Sequence, residues 1–279
     1  MITRFAPSPT GHLHLGHAYA AWIAWQAARD ARGTFLLRWE DIDRSRCRPE
    51  YEASTLKDLD WLGWTPDDAS MRQSERSSSY EQALAHLRDQ ELLYPCFCTR
   101  RDIQDEIAQS GRAPHGPDGP VYPGRCRQLS PTEVQSRIDG GEAHAWRLKM
   151  DCAVAKGGTL FWQDLEAGEQ RARPEIFGDV VLARKDIPTS YHLAVTVDDA
   201  AQAITLVTRG KDLFEATHIH RLLQALLDLP VPQWHHHRLI CDSAGKRLAK
   251  RDAATTLGTL RRDGATPDEI RERLGTVGG

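Results

Sequence analysis

The stretch Ala6-Pro7-Ser8-Pro9-Thr10-Gly11-His12-Leu13-His14-Leu15-Gly16-His17 follows a short apolar run, Ile2 to Ala6, and leads into a helical pattern. Ala18, Ala21, Trp22, Trp25 and Ala28 recur there at helical spacing, with little to break a helix before about Arg32. A strand, a Pro/Gly-rich turn and a helix in this order make the first βα unit of a nucleotide-binding fold. Such a helix start presents unpaired N–H groups and the positive end of its dipole to phosphate. His14 and His17, flanking Gly16, project from one face of its first turn. Two imidazoles in that place suit the α-phosphate of ATP, whose equatorial oxygens gain charge during adenylyl transfer. An arbitrary His-x-x-His is more often a surface pair. The Pro-x-Pro-Thr-Gly turn before it, in register with the strand, reverses that reading.

Downstream, Thr34–Trp39 reads as a second strand ending in Glu40-Asp41-Ile42-Asp43, and Pro49 opens a helix to about Leu62. Another helix follows from Ser79 to Leu92. This alternation predicts an α/β fold with a parallel sheet, whose ligands gather at the carboxyl ends of the strands. From Tyr94 to about Gly178 the pattern turns irregular and Pro/Gly-rich, with strand-like pieces at Ala145–Lys149 and Thr159–Asp164 and no long amphipathic helix. It reads as an inserted subdomain. Parallel strands are expected again at Asp179–Arg184, Ser190–Val197 and Ala203–Arg209, then a helix near Leu213–Leu227, a strand near Leu239–Cys241 and two short helices. The domains follow as residues 1–94 with 179–232, an insert over 95–178, and a tail over 233–279. His235, His236 and His237 alternate on an expected strand and read as structural.

The composition, 40% apolar and 27% charged over 279 residues, is that of an ordinary globular protein. No apolar run approaches the ~20 residues of a membrane helix, and residues 1–20 carry no secretory signal. A cytoplasmic monomer without membrane contact is the expectation. A net charge of −3 excludes a generally basic nucleic-acid binder, so any such contact must be local. The best candidate is the tail from Lys246 onward, and its small cationic excess fits a solvated helical face equally well. Within it, Gly245-Lys246-Arg247-Leu248-Ala249-Lys250-Arg251 forms a glycine-containing basic loop from which Lys250 can reach β- and γ-phosphates.

Cys96-Phe97-Cys98 and, some two dozen residues on, Cys126 bring three thiols into the Pro/Gly-rich insert. With one further ligand they would make a closed structural zinc site, a staple for a segment with little core of its own. His115 is one candidate for the fourth position. Cys47, Cys152 and Cys241 read as unligated.

His14-Leu15-Gly16-His17 and Arg247-Leu248-Ala249-Lys250-Arg251 resemble the two signature motifs of class I aminoacyl-tRNA synthetases. Arg4-Phe5-Ala6-Pro7-Ser8-Pro9-Thr10-Gly11 is similar to the glutamyl-tRNA synthetases in particular. So are Arg38-Trp39-Glu40-Asp41-Ile42-Asp43 and the run from Tyr191 to Asp199 that leads to Arg209-Gly210-Lys211-Asp212. These segments span nearly the whole chain in the family's order. Only residues 251–279 follow Lys250, where a full-length synthetase continues into a helical anticodon-binding region. The chain therefore resembles the truncated paralogue family, the glutamyl-Q tRNA(Asp) synthetases. Ala249 replaces the usual Ser and Arg247 the first Lys of the second motif, which touches loop geometry but keeps Lys250.

The resemblance implies a Rossmann-like catalytic domain with an inserted zinc-binding subdomain, a short C-terminal helical tail and no anticodon-binding domain. It implies ATP-dependent activation of L-glutamate, accompanied by Mg²⁺, without any need for tRNA. Glutamate then passes to queuosine at the wobble position of tRNA(Asp). Carried over by position, Arg4, Ala6, Ser8, Glu40, Tyr191 and Arg209 hold glutamate, with Glu40 on its ammonium group. His14, Gly16, His17 and Lys250 hold ATP, and Cys96, Cys98, Tyr122 and Cys126 hold Zn²⁺. Three other functions compete: a shortened synthetase charging a tRNA 3′ end, a catalytically dead nucleotide-binding module, and a small-molecule nucleotidylyltransferase.

Overall fold

β1 (Ile2–Phe5) and β2 (Thr34–Trp39) pair in parallel, Ile2 opposite Thr34 through Phe5 opposite Leu37, with α1 (Leu15–Asp30) crossing between them. The computed structural model describes residues 1–110, 115–117, 119–240 and 255–276. Ala18, Ala21, Ala24 and Ala28 line the inner face of α1 and are wholly buried. Their small side chains bring the helix close to the sheet, where Phe35, Leu37 and Trp39 fill the space. Thr3 Oγ1 donates to the Ala24 carbonyl at 2.7 Å and ties β1 to that helix. α2 (Pro49–Leu62) starts on its proline and stops at Gly63, whose φ of 74° suits a residue without a side chain. β3 (Met71–Arg72) adds a third parallel strand beside β2, and α3 (Ser77–Asp89) follows.

The insert begins with β4 (Leu93–Cys96), α4 (Arg100–Ser110) and a small antiparallel pair, β5 (His115–Gly116) with β6 (Gly119–Pro120). The chain continues through α5 (Pro131–Asp139), β7 (Ala145–Leu148), α6 (Met150–Gly157), β8 (Phe161–Asp164), β9 (Gly168–Arg171) and β10 (Val181–Ala183). β7 lies between β4 and β10, antiparallel to both. Then come α7 (Tyr191–Ala201), β11 (Leu206–Gly210), α8 (Ala216–Leu226), β12 (Gln233–His237), α9 (Leu257–Arg262) and α10 (Pro267–Thr276).

β11 pairs in parallel with β12, which touches β8 through Trp234 and Asp164. On its other side β11 meets β1, where Thr205 N donates to the Ile2 carbonyl at 3.0 Å. The strands thus run β3-β2-β1-β11-β12-β8-β9. Chain order reverses between β1 and β11, and ligands of such sheets sit in the crevice beyond that point. The C-terminal helices pack back on the first βα units: Arg261 pairs with Asp58 at 2.8 Å and Arg271 donates to the Leu62 carbonyl at 2.7 Å.

Four expectations need correction. Tyr191–Ala201 is a helix, not a strand: its apolar run Leu193-Ala194-Val195 is buried on every side, and such a run carries no period that separates strand from helix. Ser190 caps it by accepting from Leu193 N, and Asp198 on its last turns anchors it to Tyr80 of α3 and to Gln73 and Arg76 just before that helix. The strand at Val181–Ala183 exists but runs antiparallel in the inserted sheet. The strand carrying His235–His237 is there, at Gln233–His237, but Leu239 and Ile240 form no further strand, and Cys241 lies outside the described residues. The insert also carries an 11-residue amphipathic helix, α4.

Candidate active site

At the carboxyl ends of β1, β2, β11 and β12 the structure opens a cavity of about 500 Å³. Arg4, Ala6 and Ser8 reach it from β1 and the turn after it, and His14, Gly16 and His17 from the start of α1. Glu40 comes from the end of β2, Tyr191 from the start of α7 and Arg209 from β11. All nine residues converge on this one space. Lys250 and the rest of its basic loop lie outside the described residues. The chain on either side of that loop returns to the site, however. Ile240 lines the cavity, and Leu257 N donates to the Leu13 carbonyl at 2.8 Å while Thr256 bridges to His14.

The two histidines cap α1 reciprocally. His14 Nδ1 accepts from Gly16 N at 3.0 Å, and His17 Nδ1 accepts from His14 N at 3.3 Å. With both Nδ1 atoms accepting, each neutral ring carries its proton on Nε2 and is a donor at that atom. The rings lie 3.8 Å apart between centroids. Gly16 is required here, since a Cβ would stand 2.9 Å from His14 Cε1.

Arg4, Arg38, Asp199 and Glu40 form a buried quartet. Asp199 Oδ1 accepts from Arg4 Nε at 2.9 Å and from Arg38 Nη1 at 2.6 Å, and Arg38 Nη2 lies 3.4 Å from Glu40 Oε1. Arg4 also donates to the Thr208 carbonyl at 3.0 Å, which fixes its plane. Burial alone would raise the Asp199 carboxyl, yet Arg4 and Arg38 hold it below the usual range. Burial wins for Glu40, whose carboxyl is raised despite Arg38 and Arg4. An ammonium group entering the cavity would relieve that penalty.

Arg209 is held differently. Its Nε donates to His236 Nε2 at 3.1 Å, Nη1 to His220 Nδ1 at 3.0 Å and to Tyr191 Oη at 3.4 Å, and Nη2 to Thr217 Oγ1 at 2.5 Å. A guanidinium only donates, so both imidazoles must accept and keep their protons on the far nitrogens. His236 Nδ1 then donates to Asp164 Oδ2 at 2.7 Å, and His220 Nε2 to His192 Nδ1 at 3.2 Å. Burial, with Arg209 adding to it, pulls His236 down to about 4 against the pull of Asp164. Burial likewise holds His220 well below the ordinary histidine range, with Arg209 and His192 reinforcing it. Both rings are neutral at pH 7.

These supports were not foreseen. His236, expected to be structural, grips Arg209, and His237 lines the cavity. Asp199 and Arg38 stood within the motifs without a role, while His220, Thr217 and Asp164 went unnoticed. The available signal was the His-His-His run itself, since three imidazoles on a β-strand must place one or two inward.

In the insert, the sulfur atoms of Cys96, Cys98 and Cys126 all lie within 4.8 Å of one another. Cys98 Sγ is 3.3 Å from Cys126 Sγ and 3.4 Å from Tyr122 Oη. Bonds of ~2.3 Å from a tetrahedral zinc to thiolates require sulfur separations of this order, so the donor set fits the ion. Backbone amides serve the same cluster: Phe97 N donates to Cys126 Sγ at 3.3 Å and Cys126 N to Tyr122 Oη at 2.9 Å. Tyr122 is thus the oxygen beside the thiols; the side chain of His115 lies outside the described residues. Tyr94, Cys96, Phe97, Tyr122 and Cys126 form a small core of their own, with Arg147 stacked 3.9 Å from the Tyr122 ring centre.

Comparison with known proteins accords with this geometry. The catalytic domain of class I tRNA synthetases (E and Q) matches residues 1–278. A glutamyl-Q tRNA(Asp) synthetase of Rhodobacter capsulatus is 54% identical over 99% of this chain and 100% of its own length. One from Symbiobacterium thermophilum is 42% identical over 99% of this chain and 86% of its own. Among solved structures, a glutamate tRNA ligase from Elizabethkingia meningosepticum, in complex with its amino acid, superposes with a TM-score of 0.82 at 27% identity. That match covers 98% of this chain, which spans 60% of the ligase. Among the described residues, no helix is long and apolar enough to cross a membrane. The chain belongs to the class I tRNA synthetases (E and Q), in the family of the glutamyl-Q tRNA(Asp) synthetases.

Proposed function

We propose that the chain activates L-glutamate with ATP, without tRNA, and transfers the glutamyl group to queuosine at the wobble position of tRNA(Asp). The observation that carries this reading is the convergence of two sets of groups on one cavity. Arg4, Glu40, Tyr191 and Arg209 suit a dicarboxylic amino acid; His14 and His17 present imidazoles beside a helix N-terminus. Glu40 takes the ammonium group, and Ala6 and Ser8 border it. Arginine holds carboxylates by paired donors. In the first step a carboxylate oxygen of glutamate attacks the α-phosphorus, and pyrophosphate leaves. The Nε2–H groups of His14 and His17 donate to the equatorial oxygens as charge builds on them. Mg²⁺ enters with ATP as its counter-ion.

Lys250 meets the leaving pyrophosphate in this scheme. Thr256, bridged to His14, follows it by six residues. Zn²⁺, which Cys96, Cys98, Tyr122 and Cys126 would hold, would supply structure to the insert and not chemistry. In the second step a hydroxyl of the queuosine cyclopentenediol attacks the activated carbonyl, and AMP leaves.

The test follows labelled glutamate and ATP–pyrophosphate exchange on purified, zinc-loaded protein. Glutamate-dependent exchange without tRNA, followed by label on queuosine-containing tRNA(Asp) but not on the same tRNA lacking queuosine, supports the reading. Exchange that requires a glutamate-accepting tRNA, with label at its 3′ end, replaces it with a shortened synthetase. No exchange under any condition identifies a dead module.

A further inference from the structure

Among the described residues, the charges around the cavity do not balance, and the imbalance lies at one residue. Arg4 and Arg38 share Asp199 and Glu40, two cations against two anions. Asp212 and Arg238, which also line the space, contribute one of each sign. Arg209 is left over. All four of its partners, His236, His220, Thr217 and Tyr191, are uncharged, and no carboxylate of a described residue pairs with it. Yet it is 7% exposed. Desolvation lowers its pKa from the usual arginine value, and the pull of Tyr191 and of the more distant Asp199, opposed by Arg4, does not offset it.

A buried, unpaired cation is costly to the folded protein. The arrangement here is built to maintain it. Asp164 fixes the His236 tautomer with Nε2 as acceptor, and the Arg209 donor sets that of His220, whose Nε2 faces another imidazole, His192. Asp164 is itself occupied by the amides of Glu166 and Ala167, so its charge is spent one residue away from Arg209. A carboxylate in place of either imidazole would hold Arg209 equally well by geometry, but would cancel its charge.

We infer that His220, His236 and Thr217 are specificity-determining residues, which position Arg209 through neutral acceptors so that its charge is reserved for the side-chain carboxylate of the amino acid. The inference rests on the glutamate reading above. The α-carboxylate loses its charge on adenylation, whereas the side-chain carboxylate keeps its charge through both steps and needs a dedicated counter-ion. The side-chain carboxylate of the amino acid supplies the counter-charge that the described residues leave Arg209 without. A neutral isostere such as glutamine leaves Arg209 buried and unpaired, and is rejected for that reason.

The test compares His220→Asp with His220→Asn. Both place an oxygen near the position of Nδ1, and only one carries charge. In ATP–pyrophosphate exchange, His220→Asp raises KM for glutamate at least about tenfold over His220→Asn and shrinks the preference for glutamate over glutamine by a similar factor. Its kcat at saturating glutamate stays close to that of His220→Asn. Without ligand, His220→Asp melts at or above the temperature of His220→Asn, because it supplies the missing counter-ion. A purely structural role for His220 would move neither the preference nor the order of melting. Thr217→Asp, placed against Nη2, repeats the comparison should His220→Asp not fold. Equal KM and equal preference in the Asp and Asn variants overturn the inference, while wild-type exchange with glutamate leaves the glutamate reading intact. Absence of wild-type exchange removes the reading itself.

Discussion

Asp199→Asn removes one charge and almost no volume from the floor of the site. One carboxylate oxygen receives Arg4 at 2.9 Å and Arg38 at 2.6 Å, and the Arg38 side chain has no exposed surface. Hydrogen bonds to charged groups contribute about 1.5–3 kcal/mol each, and roughly half of that survives when one partner becomes neutral. Two such bonds weakened together, with two guanidinium groups left to Glu40 alone, cost about 2–3 kcal/mol. At ~2–4 °C per kcal/mol for a chain of this size, melting falls by roughly 5–10 °C. Arg4 loses its anchor as well, so KM for glutamate rises about tenfold or more while kcat changes less. The acid limb adds a signature. Because the folded Asp199 carboxyl titrates below its unfolded range, its contribution is complete above pH ~4 and is lost as pH falls through the folded value; the Asn variant lacks that limb. Thermal melts from pH 3 to 7 and exchange kinetics with varied glutamate measure both effects. A variant that melts within about 1 °C of wild type with unchanged KM would refute the quartet as the device that holds Arg4.

Lys250→Ala slows adenylate formation by ~10²-fold or more with little change in KM for glutamate, since its phosphate contact strengthens in the transition state; an unchanged rate in single-turnover assays removes the basic loop from the mechanism. Cys98→Ser releases zinc, as read by metal analysis, and exposes residues of the insert to hydrogen exchange while the parallel sheet stays protected. Normal zinc content in that variant refutes the ligand set. His236, near 4 when folded against ~6.5 unfolded, makes stability rise with pH across that window by roughly 3 kcal/mol, because there only the unfolded chain binds the proton. His236→Gln, which keeps an acceptor for Arg209, flattens that rise in pH-dependent denaturation, and an unaltered slope argues that the ring is not buried neutral.

The part of the site legible in the sequence is the part carried by strand ends and one helix start. Ser8 and Glu40 follow from reading where strands stop, Arg4 and Arg209 from the family resemblance, and His14 and His17 from a turn chemistry with few alternatives. Their supports were illegible because long-range partners leave no local pattern. Asp199 meets Arg4 across 195 positions and Asp164 meets His236 across 72. α7 was misread because a run buried on all sides has no amphipathic period, and the antiparallel pairing of β10 follows from its neighbour β7, which no local feature of Val181–Ala183 announces.

A crystal structure with a non-hydrolysable glutamyl-adenylate analogue tests the account most directly. The account predicts the side-chain carboxylate within hydrogen-bond distance of Arg209, the ammonium group at Glu40, and the phosphate-mimicking oxygens facing His14 and His17. An analogue bound with its carboxylate away from Arg209, or with its adenylate moiety remote from the two histidines, would contradict it.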